Sequence, residues 1–328
     1  MAGPPPGVAA VRRAVRALLD DLPEGLVLVA CSGGTDSLAL AAAVAFEVDK
    51  TGRPAGAVVV DHGLQAGSDA VAERAARRCE QLSLRPVVVR RVTVTGGAGP
   101  EDAAREARYA ALDAVATELG AVAVLLAHTR DDQAEQVLLG LARGSGARSL
   151  AGMPPRRGRY HRPLLAVTRA DTAAVCAHDG LEPWHDPHNL DPTYARVRAR
   201  GALASLDEAL GPGIRDALAR TADQLRADAE ALDDLAAAWL ATHQRADGLP
   251  AALLAGEPAA VRTRVLHRAA LAAGVPAGAL TAVHVGALDA LLTRWRGQGP
   301  VSLPGPVTAS RTPGADGRIV LTGPHRVE

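Results

Sequence analysis

Between Glu24 and about Ala142, short apolar runs take turns with segments of helical periodicity, and that alternation constrains the fold more than any other feature. Leu26–Ala30 (LVLVA) is a continuous apolar run bounded by Gly25 and the Gly33-Gly34 pair, the pattern of a parallel strand buried on both faces. Ser37–Lys50 follows as an almost wholly apolar helix, and Ala57–Val60 as a second strand. A helix from near Ser68 aligns Val71, Ala75, Cys79 and Leu82 on one face. Pro86–Val94, Glu101–Leu119, Ala121–Ala127 and Asp131–Ala142 continue as strand, helix, strand and helix. The pattern predicts an α/β fold, a doubly wound and mostly parallel sheet that binds ligands beyond the carboxyl ends of its strands.

The pattern changes after Arg143. Gly144–Arg162 is rich in Gly, Pro and Arg and reads as a loop, Thr168–Asp179 as a helix, and Pro183–Tyr194 as a turn-dense segment. From about Ala202 the chain becomes helical, with runs at Ile214–His243, Ala259–Ala273 and Thr281–Trp295. Val301–Thr322 suggests a small β-hairpin or two. A boundary near residue 200 therefore separates a first domain, 1–200, from a mainly helical one, 201–328. Two domains suit a chain of 328 residues. No run approaches the ~20 apolar residues of a membrane span, and Met1–Pro6 lacks the features of a secretory signal. A cytoplasmic protein with no membrane partner is expected. Cys31, Cys79 and Cys176 are too few and too scattered for a disulfide framework or a CxxC metal knuckle. With 36 basic and 36 acidic residues the formal net charge is zero, so nucleic-acid binding would have to come from local patches.

Cys31-Ser32-Gly33-Gly34-Thr35-Asp36-Ser37 falls between the first strand and its helix. Two glycines allow close backbone approach to an anion, and the amides at the helix start point toward it. Ser32, Thr35 and Ser37 add hydroxyl donors. Asp36 would repel bare phosphate and makes sense as a ligand of Mg²⁺ bridging phosphates. A Gly-rich turn capped by Ser37 is the plainer reading, but the whole hexapeptide after a buried strand favours phosphate binding. The loop is not GxxxxGK[ST], because Lys50, the sole lysine, lies a whole helix away.

Ser32–Ser37 (SGGTDS) resembles the SGGxDS loop of the N-type, or PP-loop, ATP pyrophosphatases, which cleave ATP to AMP and pyrophosphate by way of an adenylated substrate. Val60-Asp61-His62-Gly63-Leu64, Ala127–Glu135 (AHTRDDQAE), Arg143-Gly144-Ser145-Gly146 and Trp184-His185-Asp186-Pro187 follow in that order. Together they resemble the tRNA(Ile)-lysidine synthetase family, strongly over residues 24–200 and by architecture alone beyond them. The resemblance implies a ligase that uses ATP and Mg²⁺ to adenylate the wobble cytidine of tRNA(Ile) with a CAU anticodon. L-lysine then displaces AMP at C2. It also implies a PP-loop catalytic domain at 1–200 and a helical tRNA-recognition domain at 201–328 with a short C-terminal β segment. A homodimer is compatible with the sequence, which does not fix the oligomeric state.

Individual residues are weighed against that chemistry. Ser32, Gly33, Gly34, Thr35, Asp36 and Ser37 form the expected nucleotide cradle. Asp61 and His62 at the second strand end, and His128 at the fourth, join it through the resemblance, although a lone histidine at a strand end is more often structural. Asp132 and Glu135 share a helix face at i, i+3. They could bind the lysine ammonium or, for Asp132 with Asp36, a metal; equally, acidic residues favour helix starts. Glu101, Arg105 and Arg108 also share a face, and Glu101–Tyr109 (EDAAREARY) resembles the family's E-x-x-AR-x-x-RY run. At least one arginine there is expected to stabilise charge on the attacked α-phosphate, against the alternative of a solvated Glu–Arg face. Arg156, Arg157, Arg159 and Arg162, then Arg196, Arg198 and Arg200, form two basic patches in turn-rich segments. With Trp184 they suit tRNA contact, where the alternative is ordinary surface arginine. The family's RN-x-[IV]-R run is Arg196-Val197-Arg198-Ala199-Arg200 here, without the Asn. A tRNA-thiolating enzyme and a non-catalytic nucleotide-regulated RNA-binding module are the competing readings.

Overall fold

The computed structural model describes residues 3–63, 67–93, 100–144 and 146–323, the side chains of 100–102 excepted. Leu64 and Ser145 of the motifs, and the Glu101 side chain, lie outside the described residues. The described chain divides into two compact units, 1–225 and 226–328.

The first unit opens with α1 (Pro6–Asp21), which precedes the alternation and buries Val8, Val11, Val15 and Leu19 at helical spacing. Then come β1 (Val27–Ala30), α2 (Thr35–Thr51), β2 (Ala55–Asp61), α3 (Ser68–Gln81), β3 (Val87–Arg91), α4 (Pro100–Glu118), β4 (Ala123–Leu125) and α5 (Arg130–Ala142). Every expected strand and helix of this stretch is present. The helix ends follow local chemistry. Gly52 stops α2 in the left-handed region at φ 69°, and Thr129 with Asp132 forms a capping box that starts α5.

The sheet order is β3-β2-β1-β4-β6-β5. Neighbours through β6 are parallel, and β5 is an antiparallel edge. Strand order reverses at β1, which pairs with both β2 and β4, so the turn after β1 opens at the topological switch point. One face of the sheet packs under α1, α2 and α3 around Val29, Leu40, Val59 and Cys79. The other packs under α4 around Leu28, Leu112, Val124 and Tyr160.

The segment expected to be a loop differs. Residues 144–162 hold α6 (Ala147–Leu150) and a hairpin of β5 (Arg156–Arg157) and β6 (Tyr160–His161), which extends the sheet. Tyr160 and His161 are buried while Arg156 and Arg157 face solvent, as an edge strand should. Next are α7 (Arg169–His178), α8 (Ala195–Leu210) and α9 (Ile214–His243). The second basic patch is thus on the first turns of α8 and not in a turn-rich segment. The sequence pattern changes near residue 200, inside α8, whereas compactness divides the chain inside α9. Composition and packing mark different positions.

The second unit contains β7 (Leu249–Pro250), α10 (Ala251–Gly256), α11 (Ala259–Ala272), α12 (Ala282–Thr293), β8 (Val301–Leu303), β9 (Val307–Arg311) and β10 (Arg318–Thr322). The expected hairpins form one antiparallel sheet, β7-β10-β9-β8, because Leu249–Pro250 is recruited beside β10. Its core includes Trp239, Leu254, Leu266, Leu288 and Ile319.

Candidate active site

The β1–α2 turn is built to leave backbone amides available. Ser37 Oγ donates to the Gly34 carbonyl at 3.0 Å and accepts from the Ser32 amide at 3.2 Å, closing the loop on itself. Ser32 Oγ lies 3.2 Å from the same hydroxyl. Gly33 has φ 82°, and a Cβ there would lie 3.1 Å from Ala75 Cβ, so glycine is required by both backbone and packing. Gly34 caps α2 without a side-chain hydrogen bond, leaving the amides of the first turn, Thr35 onward, to an incoming acceptor. The Thr35 carbonyl accepts from Cys176 Sγ at 3.4 Å. Trp184 is tied to the turn through its amide, which donates to the Gly33 carbonyl at 2.9 Å. The tryptophan singled out for RNA contact therefore adjoins the β1–α2 turn through its backbone.

Beside the cradle is an acidic cluster that α7 holds together. Arg169 Nη2 lies 2.5 Å from Asp132 Oδ1, its Nη1 2.7 Å from Glu135 Oε1, and its Nε 3.8 Å from Asp36 Oδ2. The Arg169 amide donates to Asp131 at 2.9 Å, and Thr172 Oγ1 donates to Asp36 Oδ1 at 2.5 Å. Arg200 Nε reaches Glu135 Oε1 at 3.1 Å, so this arginine of the second patch belongs to the acid cluster. Burial pushes the Asp36 carboxyl above its usual range, with Asp132 and Asp131 adding repulsion against the Thr172 hydrogen bond and Arg169. Burial also opposes ionisation of Asp132, but Arg169 and the Thr129 amide outweigh it and hold that carboxyl below its usual range. Asp132 thus caps its helix through Thr129 and pairs with Arg169 at once.

Among the described residues no three His, Cys, Asp or Glu side chains converge as a metal cage. Magnesium needs no cage, since it is commonly held by one or two carboxylates together with substrate phosphates. Asp36, a quarter exposed at the loop, fits that role. Asp132 has both oxygens engaged, by Arg169 and by Thr129.

Across the carboxyl edge of the sheet the charge is positive. Arg108 Nε, Arg162 Nε, His62 Nδ1 and His128 Nδ1 are buried without a hydrogen-bond partner, an unusual concentration of unsatisfied polar atoms. Burial drives the His128 imidazole down to about 3, with Arg108, Arg162 and Arg196 adding repulsion against the pull of Asp132. Burial and then Arg108 lower His62 in the same direction. Both rings are neutral near pH 7. Asp61, expected near the nucleotide, is buried and accepts from the Gly63 amide at 2.9 Å. Its carboxylate organises the turn after β2.

The remaining candidate residues separate by burial. Arg162 is 5% exposed; it donates to the Pro154 carbonyl and to Tyr109 Oη, pinning the β5–β6 hairpin to α4. Arg198 donates to the Pro192 and Thr193 carbonyls at the start of α8. Arg159 is tied to Thr117 and Asp113 of α4. Arg156 and Arg157 are exposed. Arg105 lies over the Tyr109 ring at 5.0 Å from its centroid. Arg169 and Thr172 are the site residues that sequence reasoning missed. The T-x-x-D capping box at Thr168–Asp171 marks where that helix starts, but nothing local shows that it faces Asp36.

The family described as the PP-loop domain matches residues 8–206, and the one described as the TilS substrate binding domain matches residues 249–312. A tRNA(Ile)-lysidine synthase of Thermobifida fusca is 57% identical, covering 98% of this chain and 99% of its own. Proteins of the same name from Streptomyces coelicolor and Salinispora arenicola are 52% and 54% identical, over 97% and 99% of this chain and 99% of each relative. Among solved structures, the U34-tRNA thiolase NcsA from Methanococcus maripaludis with its [4Fe-4S] cluster superposes with a TM-score of 0.56. It is 20% identical and covers 67% of this chain and 79% of its own, which is a likeness of fold.

Proposed function

The chain belongs to the tRNA(Ile)-lysidine synthase family, and from that premise we propose how its residues divide the work. The enzyme is a ligase that forms a carbon–nitrogen bond on tRNA(Ile) at the expense of ATP. In the reaction of this family the C2 carbonyl oxygen of the wobble cytidine attacks the α-phosphorus, and pyrophosphate leaves. The neutral ε-amine of L-lysine then adds at C2, AMP departs with the oxygen, and one proton is released from the nitrogen.

The observation that carries the reading is the juxtaposition of an open anion cradle with two charged clusters of opposite sign. The amides from Gly34 to Ser37 and the hydroxyls of Ser32 and Thr35 suit the β- and γ-phosphates of ATP. Arg108, whose Nε is buried and unsatisfied, suits charge building on the α-phosphate. His62 and His128, neutral and unpartnered at Nδ1, offer hydrogen bonds to the nucleotide or the cytosine edge without adding charge. Asp36 would hold magnesium arriving with the triphosphate, and that ion would neutralise the phosphate oxygens. Asp132 and Glu135, both aligned by Arg169, suit the lysine ammonium groups. The surface arginines Arg156 and Arg157 and the α8 arginine Arg196 suit the tRNA backbone. A cytoplasmic setting and a homodimer belong to the same proposal; no helix of the described residues is long and apolar enough to cross a membrane.

The three cysteines weigh against a thiolating enzyme. All are buried in the described structure, with Cys31 donating to Ser37 Oγ beneath the turn. The deciding experiment mixes the protein with Mg-ATP, labelled lysine and tRNA(Ile) bearing CAU, and follows pyrophosphate release and label in RNA. Lysine-dependent labelling with one pyrophosphate per lysine is expected. Modification that requires a sulfur donor, or tight tRNA binding without turnover, would overturn the proposal.

A further inference from the structure

A cleft of about 760 Å³ lies beside the sheet edge, between α4 and the β5–β6 hairpin, and of its lining only Arg157 has a part in the reading above. Arg105, Tyr109 and Asp113 line it from α4, and Arg157, Arg159 and Tyr160 from the hairpin. The size is that of a small-ligand site. We infer that this cleft takes one unpaired nucleotide of the tRNA anticodon loop next to the wobble cytidine, its base against Tyr109 and its phosphate between Arg105 and Arg157. The inference rests on the tRNA reading above and adds to it a subsite outside the anion cradle.

Several observations converge on that occupant. The two walls are tied together. Tyr160 packs edge-on against Tyr109 with centroids 4.9 Å apart, and its hydroxyl donates to the Tyr109 carbonyl at 3.2 Å. Arg159 is held by Thr117 and Asp113. In contrast, Arg157 is exposed and Arg105 partly so, and neither makes an ion pair among the described residues. Tyr109, with the Arg105 guanidinium 5.0 Å from its ring centroid and the exposed Arg157 across the cleft, offers the chemistry of single-stranded nucleic-acid recognition, with stacking for the base and charge for the phosphate. The cleft is also linked to the reaction centre. Tyr109 Oη accepts from Arg162 at 3.4 Å, and Arg162 contributes with Arg108 to the positive potential on His128. The two arginines of the EDAAREARY run therefore part company. Arg108, its Nε buried, adds to the positive potential on His62 and His128, whereas Arg105 lines the cleft.

The test uses the full chain and an anticodon stem-loop RNA carrying CAU, together with versions of that RNA made abasic at either loop position flanking the wobble cytidine. One flanking abasic site should weaken binding to the wild type about tenfold, the scale of a lost base–aromatic stack. Tyr109→Leu should bind the intact RNA about tenfold more weakly and be indifferent to that same abasic site, since the two changes remove one interaction. Arg157→Glu, on the surface, should weaken every RNA by a similar factor and leave binding of an ATP analogue unchanged. Wild-type affinity untouched by both abasic sites, or an abasic penalty that persists in Tyr109→Leu, overturns the inference. Lysine incorporation by the wild type into full-length tRNA judges the family reaction separately. Its failure alongside an intact Tyr109–base coupling would count against the reaction and not the cleft.

Discussion

Replacing Arg169 by methionine keeps most of the side-chain volume and removes the charge that binds the acidic cluster. The guanidinium makes two charge-assisted contacts, 2.5 Å to Asp132 and 2.7 Å to Glu135, whose side chains are only 13% and 3% exposed. Each such bond contributes about 1.5–3 kcal/mol, and stripping one partner from a buried pair costs about 3–5 kcal/mol. Both acids keep another donor, Thr129 for Asp132 and Arg200 for Glu135, so the cost should fall near the low end, about 3 kcal/mol. Hydrogen exchange read by mass spectrometry on peptides from α5 and α7 measures it locally. Adding Asp132→Asn to Arg169→Met removes the uncompensated charge but keeps an oxygen for the Thr129 cap. The double variant should recover about 1–2 kcal/mol of protection, a coupling expected only of residues in contact. Protection unchanged to within ~0.5 kcal/mol in the single variant, or a double variant less protected than the single one, would refute the reasoning.

Asp36→Ala should abolish pyrophosphate release while leaving tRNA affinity nearly intact, as compared by filter binding; a parallel collapse of tRNA binding would mean that the nucleotide and RNA sites are one. Gly152→Ala places an L-residue at φ 66° and a Cβ 2.5 Å from Gln133 Oε1, the oxygen that accepts the Met153 amide. Backbone strain of about 1–2 kcal/mol plus loss of that lock should lower the thermal midpoint, and an unchanged midpoint would refute it. Glu47 is buried, which opposes its ionisation, but Arg16 and Lys50 outweigh burial and hold its carboxyl below the usual range. Its contribution is therefore fully present above the ordinary carboxylate pKa of about 4.3 and disappears as pH falls through the lower folded value. The stability difference between wild type and Glu47→Gln should shrink over that interval in pH-dependent urea unfolding. A gap that stayed constant would contradict the assignment.

Long, uninterrupted patterns were legible in the sequence. The apolar run of β1, the glycines after it and the apolar α2 mark a strand, a tight glycine turn and a buried helix with no need of tertiary information. Ile214–His243 is equally plain, because Pro212-Gly213 precedes thirty residues without a breaker. Failures arose where an element is too short to display a period. The β5 and β6 strands have two residues each, and in so brief a run Arg and Gly dominate the composition. Arg196, Arg198 and Arg200 stand close to Pro192, which masks a helix that starts at Ala195. The acidic cluster was half legible. The i, i+3 spacing aligns Asp132 with Glu135, but the guanidinium between them comes from a helix more than thirty residues later. Arg105 and Arg108 share a face by spacing, and only the packing of α4 on the sheet decides that Arg105 lines the cleft while Arg108 has a buried, unpartnered Nε.

The account depends most on the β1–α2 turn as the seat of the triphosphate. A crystal structure with an ATP analogue that cannot be cleaved between its α- and β-phosphorus tests it directly. Density for the β- and γ-phosphates against the amides of Gly34–Ser37, with the α-phosphate turned toward Arg108, is the predicted result. A nucleotide bound elsewhere, with that turn bare, would contradict it.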